Sequence, residues 1–89
     1  MEQRMYPVDV ISVCTAAGEI RPLRLQIEDE THQLLRVDIE AVLGVREIER
    51  VGIESQIFLC RGKTDRRKCM FELKYTIRSH TWWLIQRIF

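Results

Sequence analysis

Two of the three cysteines, Cys60 and Cys69, bracket the polar segment Arg61-Gly62-Lys63-Thr64-Asp65-Arg66-Arg67-Lys68 at equal distance from its centre. If the chain turns about Thr64-Asp65, positions summing to 129 face each other and Cys60 stands directly opposite Cys69. Their Cβ atoms would then lie about 4.5–5.5 Å apart. Two thiols so placed could act as a redox pair or as half of a zinc site. The plainer reading is two small apolar core residues, since free cysteine buries readily and the chain has no C-x-x-C spacing. Cys14, His32 and His80 show no ligand spacing either, so no metal and no cofactor are expected.

The same segment offers two further chemistries. Gly62-Lys63-Thr64 copies the end of a phosphate-binding loop, but that loop needs a glycine where this chain has Ile57, and a helix where a strand is expected. The match is accidental. Arg61, Lys63, Arg66, Arg67 and Lys68 could clamp phosphates, with Tyr75, Trp82 and Trp83 as stacking partners, which would make a nucleic-acid-binding hairpin. The alternative is a solvated loop above an aromatic core. No Ser/His/Asp grouping or paired carboxylate in an apolar setting can be drawn. Asp38 and Glu40 share one strand face, which an alternating strand requires anyway. The expectation is a protein that is not an enzyme.

The elements that must position these residues follow from periodicity. Residues 8–15 are rich in branched side chains, and Ala16-Ala17-Gly18-Glu19 supplies a turn in which Gly18 takes positive φ. In residues 20–28, Leu23, Leu25 and Ile27 alternate with Arg24, Gln26 and Glu28, the pattern of a half-buried strand. Pro22 lacks a backbone donor and belongs at the start of that strand or on an edge. After an acidic turn, Leu35, Val37 and Ile39 alternate with charged residues. A turn at Glu40-Ala41 then leads into a strand over 42–50, Gly44 arguing against a helix there. The hairpin 57–74 follows, with Cys69, Phe71, Leu73 and Tyr75 on one face. The last strand, 82–89, is apolar on both parities. Trp82 and Trp83 must point to opposite faces, so Trp82, Trp83 and Phe89 form a candidate interaction surface.

A chain of 89 residues with 46% hydrophobic and 30% charged residues builds one modest core. A single domain spanning 1–89 is expected, with residues 1–6 as a disordered extension. No run reaches the roughly 18 apolar residues that cross a bilayer. The N-terminus lacks the apolar stretch of a signal peptide, and an odd cysteine count without an export signal points to reduced thiols and a cytoplasmic location. The net charge of +1 conceals a split: residues 1–45 carry four bases against eight acids, and residues 46–89 carry ten bases against five acids. Short strands with turn residues between them define an all-β fold, and the lack of a helix favours an SH3-like antiparallel barrel of five or six strands over an OB-like one.

The chain also resembles a group of short bacterial proteins, mainly from Firmicutes, thought to form SH3-like barrels. The likeness rests on Gly18 followed by Ile20 and Pro22-Leu23, on Glu28-Asp29, on Val42-Leu43-Gly44-Val45-Arg46 and on Trp82-Trp83-Leu84. It covers most of residues 8–85. This sequence departs from that pattern in lacking a glycine just after Glu28-Asp29. The resemblance implies the fold and brings no activity. The functional expectation is therefore a protein-interaction or self-associating module without membrane attachment, with nucleic-acid binding by the basic hairpin as the alternative.

Overall fold

The computed structural model describes residues 5–28, 31–65 and 67–87, the last two by backbone only. They form strands β1 (Tyr6–Pro7), β2 (Asp9–Cys14), β3 (Ile20–Glu28), β4 (Leu34–Arg50), β5 (Ile53–Lys63), β6 (Lys68–Thr76) and β7 (Thr81–Arg87), with no helix among them. All seven belong to one antiparallel sheet in the order β1-β7-β6-β5-β4-β3-β2. From β2 to β7 every strand pairs with the next in the chain. β1 precedes β2 by a single residue yet pairs with β7, and the Val8 N–H donates to the Trp82 carbonyl at 3.2 Å. Residues 6–14 thus run along both margins of the sheet and curl it into a half-barrel. Tyr6, expected in a disordered extension, is part of that closure.

One face of the sheet carries the core: Leu25, Val37, Phe58, Cys60, Phe71, Leu73, Tyr75 and Trp82 are all buried there. The alternation expected for β6 is present, with Phe71, Leu73 and Tyr75 buried. In β3 it fails at one place. The register with β2 slips between Ile11 and Ser12, so Ile11 faces Arg24 while Ser12 faces Pro22. Leu23 is the extra residue of this bulge and turns outward, leaving the fully buried Pro22 in its place. A proline, having no N–H, is tolerated at a bulge because the ladder is already broken there.

The turn expected at Glu40-Ala41 is also replaced by bulges. β4 runs unbroken through 17 residues, with slips against β5 between Ile39 and Ala41 and between Val42 and Gly44. Each bulge sharpens the local twist, which bends a long strand without ending it. Its first five residues, 34–38, pair with β3, and pairing with β5 begins at Asp38 and runs to Arg50. The β4–β5 connection is the two-residue turn Val51-Gly52, with φ of 54° and 78°, a type I′ geometry matched to strand twist. Gly18 takes φ 85° in the β2–β3 turn, as the sequence predicts.

The β5–β6 register differs from the expected one. Lys63 faces Lys68, Gly62 faces Cys69 and Cys60 faces Phe71, so paired positions sum to 131 and the loop is the four residues 64–67. The physical reason lies at Gly62. A Cβ there would stand 2.7 Å from Phe71 Cε1 and 2.8 Å from Val37 Cγ1. The Phe71 ring fills the space that a side chain at 62 would take, and the observed register sets glycine diagonal to this ring, where it admits the ring.

Candidate interaction surface

The corrected register separates the two thiols. Cys60 and Cys69 share the core face as diagonal neighbours, a relation that spaces positions about 7–8 Å apart. Burial pushes the Cys60 thiol up to about 12. A thiol so far from ionising is a weak nucleophile and a weak metal ligand, and Cys60 serves the core. Cys14 is exposed, and all three cysteines are outside any disulfide. Among the described residues no three His, Cys, Asp or Glu side chains cluster as a metal site. Lys63 ends β5 and Thr64 opens a turn, so Gly62-Lys63-Thr64 leads into no helix.

The bases of the hairpin converge in part. Arg61, Lys63 and Lys68 occupy the outer face, with Lys63 directly opposite Lys68. Asp38 flanks Lys63 on β4 but is held by Arg24 at 2.7 Å, and Arg61 approaches Glu40 at 3.9 Å. Arg67 is exposed in the turn, where its carbonyl accepts the Thr64 N–H at 2.8 Å. Arg66 lies outside the described residues. The expected stacking partners are elsewhere: Tyr75 and Trp82 are core residues, their rings 4.7 Å apart. Trp83 is six strand positions from Lys68 by way of Lys74, roughly 20 Å at strand rise.

The two tryptophans do point to opposite faces. Trp82 is 8% exposed and packs on Phe58 and Tyr75, so it leaves the interaction surface expected of it and joins the core. Trp83 is half-buried on the outer face in a cross-strand row with Pro7, Lys74, Ile57 and Arg46. Ile57 is buried there although it lies opposite the core. The ion pair from Arg46 to Glu72, 3.8 Å long, crosses β5 above it. Phe89 is outside the described residues.

A further surface belongs to β4. Pairing between β3 and β4 stops at Arg24 with Asp38, and beyond that point the strands splay apart. The gap is an open notch of about 370 Å³ bordered by residues 21–23 and 39–42. Past the notch, Leu43 is the extra residue of the second bulge, and residues 44–50 pair with β5 on one side and with no described strand on the other. Leu43 and Val45 are 48% and 52% exposed on this margin. The turn beyond it carries Val51 fully in solvent, a branched residue in the left-handed region. The sequence held a partial signal: in residues 45–50 neither parity is apolar throughout, which marks exposed faces though not an unpaired edge.

Comparison of the chain with protein-family models, with curated proteins and with solved structures returns no match.

Proposed function

We propose that this protein is a small non-catalytic protein-interaction module, an SH3-like barrel of the cytoplasm, that binds an extended polypeptide along the margin of β4. One observation carries the reading: among the described residues, 44–50 pair with β5 on one side and with no strand on the other, leaving backbone groups facing outward beside the exposed Leu43 and Val45. Such a margin templates a further strand, main-chain hydrogen bonds giving affinity and alternate side chains giving specificity. Natural edges are usually short, and this one is long; its charged residues Arg46, Glu47, Glu49 and Arg50 restrict what can pair with it.

Selection of a displayed library of random extended peptides on the immobilised protein tests the proposal. Selected peptides should slow amide exchange in residues 43–50. A selection that yields nothing, or peptides that protect only other strands, would sink it.

A second reading has its own support in the like-charge pair Lys63 and Lys68, which lie directly opposite each other and would gain from a bound anion. Titration with single- and double-stranded oligonucleotides at low and high salt tests nucleic-acid binding, since phosphate contacts weaken steeply with salt. Absence of binding at low salt ends that reading.

A further inference from the structure

The β4 margin carries its charge in a fixed order. Arg46, Ile48 and Arg50 face the outer side of the sheet, opposite Ile57, Ser55 and Ile53 of β5. Val45, Glu47 and Glu49 face the core side, opposite Phe58, Gln56 and Glu54. Glu49 and Glu54 are thus like charges directly across the ladder, an unfavourable arrangement. Among the described residues Glu47, Glu49, Glu54 and Arg50 make no ion pair and no side-chain hydrogen bond. Arg46 has only its long contact with Glu72.

This order rejects a second copy. Two identical margins meet antiparallel about a two-fold axis perpendicular to the sheet, and that symmetry keeps each residue on its own face. Only positions of equal parity can then stand opposite one another. Both arginines are even-numbered and both glutamates odd-numbered, so no self-register sets a base against an acid. Every register that covers 46–50 sets like charges together or leaves them unmatched. Of the two terminal strands of the sheet, β2 has Asp9 as its single charge and β1 has none, so neither can neutralise Glu47 and Glu49.

Resting on the reading that β4 is a strand-addition margin, we infer that its occupant is an extended segment of a different protein with a two-faced charge pattern. Its side chains on the core side are basic, against Glu47 and Glu49, and those on the outer side are acidic, against Arg46 and Arg50. Apolar residues of the segment meet Leu43, Val45 and Ile48. The notch between β3 and β4 gives the segment room to run on past residue 43.

The probe is a synthetic peptide reading Glu-Lys-Val-Lys-Glu-Val-Thr-Val, which pairs antiparallel with residues 50 to 43. Its control has each lysine and glutamate exchanged. Affinity is read by titration of labelled peptide, and position by amide shifts and exchange. The first peptide should bind at least tenfold more tightly than the control and protect residues 43–50. The double substitution Glu47→Lys and Glu49→Lys touches no described partner, so the fold should persist, as amide dispersion verifies. It should remove the preference. Equal binding of both peptides at β4 would overturn this inference while leaving the margin a binding site. Failure of both peptides to bind, or protection confined to other strands, would overturn it too, and the library selection above then decides the broader reading separately.

Discussion

Replacing Gly62 by alanine separates the observed hairpin register from its neighbour. Gly62 has no positive φ, so alanine meets no backbone strain. In an open strand the change would stabilise by about 0.5–1 kcal/mol, because glycine loses more freedom on folding. Here the new Cβ lies 2.7 Å from Phe71 Cε1, 2.8 Å from Val37 Cγ1 and 3.1 Å from the Asp38 carbonyl oxygen. Carbon contacts are optimal at about 3.5–4.0 Å. Phe71 and Val37 are both buried, and the third neighbour is backbone, so little can yield. Overpacking of this kind costs about 1–3 kcal/mol, and three constrained neighbours put it at the upper end. The net expectation is a loss of about 2 kcal/mol, against a total stability of roughly 4–13 kcal/mol for a chain of this length. At about 4–8 °C per kcal/mol, Tm should fall by roughly 8–16 °C. Urea unfolding followed by the fluorescence of Trp82 and Trp83 together gives the free energy, and a circular dichroism melt gives Tm. Adding Phe71→Leu should make the two changes less than additive. In the register summing to 129, Gly62 would face Arg67 and Phe71 would face Phe58, and alanine would be neutral or favourable. A Gly62→Ala protein as stable as the parent would show that Phe71 does not pack over Gly62 in this register.

Three other outcomes follow from the geometry. Val51→Asn should raise stability by about 1 kcal/mol in a thermal melt, since asparagine tolerates the left-handed region that valine resists and Val51 has no packing to lose. Trp82→Ala should cost about 3–5 kcal/mol in urea as a core truncation. Trp83→Ala, on the half-buried outer row, should cost distinctly less, and equal losses would contradict their placement on opposite faces. Cys60 holds its proton in the folded chain up to about pH 12, while the unfolded thiol ionises near 9.0. The folded state therefore binds the extra proton in that window, and the Cys60 contribution to stability, full below about pH 9, is lost as pH rises toward 12. In alkylation at pH 8 Cys14 should react at once and Cys60 only on unfolding; rapid labelling of Cys60 would show that it is not enclosed.

Much of the fold is legible in the residues. Alternation in 20–28, 35–39 and 69–75 defines strands, Gly18 and Gly52 mark turns, and neighbouring strands joined by short turns pair antiparallel. What escapes this reading is local slippage. A bulge adds one residue and reverses the face of all that follow, and the side chains carry no period by which to announce it. So Leu23 goes outward and Glu40-Ala41 bends a strand without ending it, while Cys60 moves one pairing away from Cys69 because the centre of the turn shifts, the β5–β6 ladder itself being free of bulges. The candidate site escaped for a related reason. An unpaired margin is a property of where two strands part, and the β3–β4 ladder ends at Arg24 with Asp38, next to the bulges that β3 makes against β2 and β4 makes against β5.

The all-β class, the opposite facing of Trp82 and Trp83 and the alternating charge of residues 46–50 were readable from the residues alone, because a strand's period of two depends on nothing beyond the strand. Which tryptophan fills the core, which register lets Phe71 lie over Gly62, and that residues 44–50 of β4 have no described strand on their second side came from the tertiary structure. Those outcomes rest on contacts between residues far apart in the chain, where steric fit chooses among pairings that local preference leaves equal.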